Sequence, residues 1–301
     1  MRTCLVCALF VLVATSAIRG QELEPRVYLA SPVGTNAIVV AAARSTGDVI
    51  LDPTIPIENV HARVGAIVFG YYRTFGLFGR TASLGGTAPL LRASAKGEFD
   101  GVEGRVNRFG QGDVAMRFTV NLLGFPAMDT ATFVKRGRRP GLGASVVVNV
   151  PAGQYLSGKA INLGTNRWSY KPELGLTLPL GDRWLFDTYV GVWLFRDNDD
   201  YLGSTRAQAP LITTQVHLSY NLSRRAWAAL NGTFYSGGRT TVKGIDQAER
   251  QKNVRIGGTI SLPLTNRQSL RVAVSKGARV RLGSDFTTLS VAWTYGWGRG
   301  F

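Results

Sequence analysis

The sequence predicts an all-β protein, a membrane-spanning antiparallel β-barrel of about 12 strands. Three observations predict it: period-two alternation in several of a dozen strand-like segments, an export signal at the N-terminus, and connections that are for the most part alternately short and long. The alternation is plainest across residues 168–195. Trp168, Tyr170, Pro172, Leu174, Leu176 and Leu178 alternate with Ser169, Lys171, Glu173, Gly175 and Thr177. Gly181, Asp182 and Arg183 supply turn chemistry, and Trp184, Phe186, Thr188, Val190, Val192 and Leu194 then share one face of the returning arm. Each arm has about a dozen residues, near the length a tilted strand needs to cross a bilayer. Aromatic residues stand at the arm ends, where a membrane interface holds them. A hairpin from a soluble β-sandwich shows the same alternation, so this stretch alone does not select the membrane.

The N-terminus adds the compartment. Arg2, the apolar run 5–14 and the small residues Thr15, Ser16 and Ala17 read as an export signal over residues 1–20, with cleavage between Ala17 and Gln21. No later segment reaches about eighteen consecutive apolar residues, which excludes a helical membrane protein. Both cysteines, Cys4 and Cys7, lie inside the signal, so the exported chain carries no thiol, disulfide or thiolate metal site. Loss of Arg2 and Arg19 with the signal lowers the formal charge of +16 by two. In an exported protein such charge suits lipid phosphates or anionic solutes, and the expected partners are outer-membrane lipid, lipopolysaccharide and a small-molecule solute. No nucleic-acid motif or basic helix is present, so nucleic acid is not an expected partner.

Residues 21–35, polar and containing Pro25 and Pro32, read as a periplasmic lead or a plug, and residues 36–301 as the barrel. Strands are expected at 36–45, 62–75, 79–91, 112–123, 142–151, 168–180, 184–195, 210–221, 226–236, 253–264, 268–276 and 287–297. The first three are poorly patterned. The last is the cleanest, with Leu289, Val291, Trp293, Tyr295 and Trp297 against Ser290, Ala292, Thr294 and Gly296. Connections after even-numbered strands are tight, at 76–78, 181–183, 222–225 and 265–267. Those after odd-numbered strands are long, at 46–61, 92–111, 152–167, 196–209, 237–252 and 277–286. Such parity is expected of an outer-membrane barrel with both termini on the periplasmic side, and a sandwich has no reason to keep it. The connection 124–141 breaks the parity; its Thr132, Phe133, Val134 and Lys135 read as part of a periplasmic helix. Either the lead or the 92–111 loop is a candidate to fold inward as a plug.

Several stretches also resemble a known family. They are Glu24-Pro25-Arg26, the run 161–168 (Ile-Asn-Leu-Gly-Thr-Asn-Arg-Trp), Lys171-Pro172-Glu173-Leu174-Gly175, Gly191-Val192-Trp193-Leu194-Phe195, Asp197-Asn198-Asp199-Asp200 and the run 235–241. Together they are similar to the outer-membrane family labelled "putative MetA-pathway of phenol degradation", over nearly all of the chain beyond the signal. The resemblance implies a transporter-type barrel, related to the trimeric twelve-stranded channel that exports functional-amyloid subunits. It thereby implies a homo-oligomer, a trimer, although this chain lacks the long coiled coil that precedes the exporter's barrel. The label implies aromatic substrates by association with a pathway.

If the apolar faces point to lipid, the lumen receives Arg117, Asn121, Lys171, Glu173, Asp187, Gln215, His217, Arg255 and Arg271. Charge on the lipid face would cost roughly 2 to 4 kcal/mol at mid-membrane, which favours this inward assignment. The set reads as a constriction that binds or filters solute, its excess of Arg and Lys favouring anions, or as ion pairs that fill a narrow barrel. Lys171 and Glu173 are expected beside Asp187 across the tight turn.

Other features carry less. Asp197, Asp199 and Asp200 resemble a calcium loop but lack its glycine and distal glutamate, and read as an acidic outer loop with no metal. Tyr71, Tyr72, Trp193 and Phe195 fit an interface belt for the most part, or a path for an aromatic solute. His217-Leu218-Ser219, with Asn221, has the spacing of an outer-membrane phospholipase, yet Val216, Leu218 and Tyr220 hold the lipid-facing side where that enzyme works, so no catalytic residue is assigned. A structural or adhesive barrel, whose loops bind lipopolysaccharide or a surface partner, is the other class to test. The sequence points instead to a channel or passive transporter for a small hydrophobic, aromatic or anionic compound, which needs no cofactor because solute moves down its own gradient.

Overall fold

The structure is a computed structural model; it describes residues 23–29, 31–50, 57–99, 102–159, 161–247, 250–281 and 283–298, so the expected signal lies outside the described residues. The strands are β1 (Asn36–Ile50), β2 (Ile57–Leu77), β3 (Arg80–Phe99), β4 (Val102–Gln111), β5 (Val114–Leu123), β6 (Gly141–Val150), β7 (Ser169–Leu180) and β8 (Trp184–Phe195). They continue with β9 (Arg206–Gln208), β10 (Leu211–Asn221), β11 (Trp227–Gly237), β12 (Thr240–Val242), β13 (Ile245–Asp246), β14 (Gln251–Pro263), β15 (Gln268–Arg279) and β16 (Gly283–Trp297). One helix, α1 (Thr130–Lys135), lies in the long 124–140 connection. The Asp129 carboxylate caps it by accepting the Thr132 amide at 2.8 Å, and that bond holds the carboxyl below its ordinary pKa.

Twelve strands close the barrel. Chain-order neighbours pair antiparallel through β1, β2, β3, β5, β6, β7, β8, β10, β11, β14, β15 and β16, and the β1–β16 pairing, from Asn36 opposite Trp297 to Ile50 opposite Gly283, seals the ring. Each matches one of the twelve expected segments to within a few residues, except that β1, β2 and β3 run five or more residues further past the long-loop end. The strands β9, β12 and β13 form a separate small sheet in the long loops.

The expectation for 92–111 is corrected. It is neither loop nor inward plug: β3 continues through it and turns back as β4, paired from Leu90 opposite Gln111 to Phe99 opposite Val102. Below that hairpin β3 pairs with β5 instead, from Ala82 opposite Val120 to Thr87 opposite Ala115. Pro89, lacking an N–H, sits at the changeover, where its carbonyl accepts the Gly112 amide at 2.9 Å. Glycine is required at Gly124, where φ is +83° and an added Cβ would lie 2.0 Å from the Pro140 carbonyl oxygen.

The two faces of the wall are inverted relative to a water-soluble fold. Large apolar residues such as Phe69, Leu174, Val190, Leu230, Phe234 and Leu289 stand exposed on the outside, Leu230 at 70%. Polar residues such as Thr177, Asp187, His217, Ser219 and Thr233 are buried inside. That inversion suits lipid outside. At the short-turn end an aromatic belt is continuous over Trp293, Tyr295, Trp297 and Tyr71, with ring centroids 5.7 to 6.3 Å apart. Trp184 and Tyr220, at the same end of β8 and β10, pair edge-on at 4.8 Å.

Candidate functional site

The inner wall has two different halves. From β7 to β15 its side chains are mostly polar: Lys171, Glu173, Asp187, Gln215, His217, Asn231, Thr233, Arg255 and Thr259 are all buried. On β1, β2 and β3 the inward residues are mostly small and apolar instead, with Ser45, Ser83 and Thr87 among them. Register sets Val39 opposite Gly70 and Ala43 opposite Ala66 on β1 and β2, then Ala66 opposite Leu91 and Val68 opposite Pro89 on β2 and β3. Since Ile67, Phe69 and Leu90 on the outside are apolar too, these strands show no alternation of polarity.

Residues 23–29 lie inside the barrel on the polar half. Arg26 donates from Nη2 to Asn221 Oδ1 at 2.7 Å, with its guanidinium 4.4 Å above the Trp227 ring. The Val27 amide donates to the Tyr189 hydroxyl at 3.2 Å, and the Glu24 amide to Gln215 Oε1 at 3.5 Å. Tyr28 is 1% exposed. Residues 31–35 then cross to the apolar half, where Tyr72 donates to Ser31 Oγ at 3.1 Å and the Val33 amide donates to the Met128 carbonyl at 2.9 Å.

The nine expected site residues separate into groups. Glu173 draws three of the others to it: it accepts from Lys171 Nζ at 2.7 Å, from Arg117 Nη1 at 3.4 Å and from Gln215 Nε2 at 3.4 Å. Asp187 stands apart from that set, since register puts it opposite Thr177 and His217 while Glu173 faces Gly191. It accepts the Thr177 hydroxyl at 2.6 Å. His217 Nδ1 is 2.8 Å from Asn231 Oδ1, whereas its Nε2 and the Ser219 hydroxyl make no hydrogen bond among the described residues. No His–Ser relay is therefore assembled. Asn121 is buried opposite Gly143. Arg255 donates to the Phe286 carbonyl at 2.7 Å, nearer the long loops, and Arg271 lies 5.4 Å from the Trp227 ring.

An open space lies on the other half. A cavity of about 570 Å³ runs along the apolar wall of Val39, Ala43, Ala66, Val68, Pro89 and Leu91, and is completed by Val147 and Trp193. Its polar edge is Glu24, Asp113, Arg117, Thr165 and Lys171. Of the nine expected residues only Arg117 and Lys171 line it. Sequence reasoning missed the apolar wall, for which the signal is apolar residues on both faces of β1–β3. It also put most of the aromatics in the belt, yet Tyr72 and Trp193 line the cavity and Phe195 stacks on Trp193 at 6.4 Å.

The long loops cover this space. Ile161 and Tyr201 are buried among Val49, Val60, Ala62, Ala95 and Phe286, and Leu163 packs on Leu91 and Ala93. The Asp113 carboxylate anchors the cover, accepting the Gly153 amide at 3.1 Å, the Thr165 amide at 3.0 Å and the Thr165 hydroxyl at 2.5 Å. Asn162 clamps the same loop, accepting the Leu156 amide at 2.8 Å and donating to the Leu156 and Lys159 carbonyls. Asp197, Asp199 and Asp200 are exposed, and no group of acidic or histidine side chains fit to hold a metal occurs among the described residues.

Similar proteins share this architecture. A structure of the COG4313 outer membrane channel from Pseudomonas putida F1 superposes with a TM-score of 0.77 over 92% of this chain and 100% of its own, at 21% identity. The transport unit of the autotransporter AIDA-I from Escherichia coli superposes with a TM-score of 0.50 over 94% and 97%, at 11% identity. Comparison with curated protein sequences gives no match. Both structures carry the outer-membrane barrel fold, and residues 43–297 match the sequence pattern described as "Putative MetA-pathway of phenol degradation"; the chain belongs to that family of outer-membrane-type barrels.

Proposed function

We propose that the protein is an outer-membrane channel through which small aromatic compounds diffuse passively, after export of the chain by a cleaved signal. The observation that carries this reading is the 570 Å³ cavity, whose wall is apolar on one side and meets Arg117, Lys171 and Trp193 on the other. An apolar wall lowers the cost of desolvating a ring, and a few polar groups at the edge orient its substituent. The lumen at twelve strands is intermediate between a packed interior and an open pore, which suits a narrow solute. The channel found with this fold in Pseudomonas putida F1 supports the reading, as does the family's association with phenol degradation. Exposed cations of the long loops, such as Arg239 and Lys243, suit lipopolysaccharide phosphates, and Arg138 and Arg225 at the short-turn end suit lipid phosphates of the opposite leaflet.

The test is uptake into proteoliposomes of benzoate against gluconate, two monoanions that differ in aromaticity. Benzoate entering several-fold faster than gluconate supports an aromatic channel. Equal rates, or none above protein-free liposomes, would sink it.

A further inference from the structure

The wall facing Tyr28 is shaped as a slot for one aromatic ring. Gly143 of β6 and Gly175 of β7 are directly paired, and both present their missing side chains inward. A Cβ added to Gly175 would lie 2.1 Å from carbons of the Tyr28 ring, and one added to Gly143 would lie 2.4 Å from it. The ring therefore occupies the space of two absent side chains. Tyr189 closes a third side, edge-on with its centroid 5.0 Å away. At the end of the slot the phenolic oxygen lies 2.8 Å from Ser145 Oγ, 3.0 Å from Glu173 Oε1 and 3.3 Å from the Glu173 carbonyl. Lys171 and Arg117 hold the Glu173 carboxylate in place.

This wall recognises a phenol. It offers a flat space one ring wide and, at the hydroxyl position, a fixed carboxylate beside a serine. The phenol that fills it rides on residues 23–29, which form turn and irregular structure and take no part in the sheet. The adjoining cavity leads to the same groups, since Arg117 and Lys171 line it.

We propose that the slot is a binding site for free phenols, occupied at rest by the chain's own Tyr28. A phenolic compound arriving through the cavity competes with Tyr28 for Ser145 and Glu173, and its binding releases residues 23–29 from the lumen. The arrival route rests on the channel reading above; the slot itself does not. A phenol hydroxyl donating to the carboxylate makes a charge-assisted bond, whereas a bare hydrocarbon ring leaves the carboxylate and the serine without that partner. The site thus selects phenols over hydrocarbons of the same size.

Two substitutions separate the slot from the segment that fills it. Tyr28→Ala vacates the slot; Gly175→Ala puts a methyl group where the ring lies, so it both expels Tyr28 and blocks the site. Folding of each full-length variant is verified by heat-modifiable gel migration, and 4-methylphenol and toluene are titrated calorimetrically into detergent-solubilised protein. Tyr28→Ala is expected to bind 4-methylphenol more tightly than wild type, and about tenfold or more tighter than toluene. The double variant Tyr28→Ala/Gly175→Ala is expected to lose that binding, while conductance rises in each single variant. Equal binding of 4-methylphenol by Tyr28→Ala and the double variant, or of toluene and 4-methylphenol by Tyr28→Ala, overturns the proposal. If Tyr28→Ala does not fold, Tyr28→Phe keeps the slot filled but gives up its hydrogen bonds, so 4-methylphenol should displace that ring more readily than Tyr28; unchanged binding overturns the proposal. Benzoate uptake in the same preparations separates the two readings. Its absence beside intact 4-methylphenol binding counts against the channel alone, and lost binding beside intact uptake counts against the slot alone.

Discussion

Lys171 and Glu173 stand two residues apart on one face of β7, with Nζ 2.7 Å from Oε2 and each side chain 1% exposed. Neither charge could be held at that depth without the other, and Arg117 and Gln215 satisfy further lone pairs of the carboxylate. Truncating one partner of a buried pair leaves an uncompensated charge, at a cost of about 3 to 5 kcal/mol. Glu173→Ala should accordingly lower the unfolding free energy of the barrel in liposomes, read from urea titration, by that order. Replacing both at once, as Lys171→Met/Glu173→Leu, should restore most of the loss. A double variant as unstable as the single one would mean that the pair does not act as a unit.

Arg26 ties the inner segment to the short-turn end through Asn221 and Trp227. A charge-assisted hydrogen bond and a cation–π contact together stabilise its docking by about 2 kcal/mol. Those contacts join the segment to the wall and do not join strands to each other. Arg26→Ala should therefore raise the open probability in planar bilayers about tenfold or more, with little change in the urea midpoint. A fallen midpoint at unchanged conductance would make the segment a structural strut.

What the sequence disclosed follows from these same walls. From β7 to β11 one face meets lipid and the other meets buried polar groups, so Leu174 beside Glu173, or Leu218 beside His217, announces both strand and orientation. On β1–β3 the inner face is apolar as well, so Ala43, Ala66 and Val68 blur the alternation and hide the cavity wall. The β4 hairpin stands above the lipid-facing rows, where Glu103, Arg105 and Arg108 leave no apolar stripe to read. The slot was illegible for another reason: Gly143 and Gly175 lie 32 positions apart, and only strand register makes them neighbours. The polar residues read from the alternation face inward, but most are engaged with one another or with residues 23–29, and the cavity along β1–β3 meets only Arg117 and Lys171 of the nine.

Asp113 holds the loop cover at the other end. It accepts three hydrogen bonds from Gly153 and Thr165, and Gly153 and Gly164 approach so closely that a Cβ on either would fall within 2.6 Å of the other's backbone. Removing the carboxylate takes this acceptor from two amides and from the Thr165 hydroxyl, which also donates to the Arg167 carbonyl at 3.3 Å, without touching a barrel strand pair. Asp113→Ala should make residues 151–168 sensitive to added protease in proteoliposomes, while the barrel still shows heat-modifiable migration. Protease resistance equal to wild type would show that Asn162 and the apolar anchors Ile161 and Leu163 suffice.

Ala66 lies at the centre of the apolar wall, opposite Ala43 on one side and Leu91 on the other, and lines the 570 Å³ cavity. A phenyl ring placed there projects into open space, so Ala66→Phe should fold without the penalty of an overpacked core. It should cut benzoate uptake several-fold by occupying the volume an aromatic solute would use. Small-ion conductance should fall less, because hydrated ions follow the polar edge near Arg117 and Lys171. Ala66→Ser serves as the control: it keeps the volume and adds one hydroxyl, so it should reduce benzoate uptake only slightly. The ratio of benzoate uptake to chloride conductance, measured on the same preparations, is the deciding quantity. A ratio unchanged by Ala66→Phe would mean that aromatic solutes and ions share one path and that the apolar wall confers no preference.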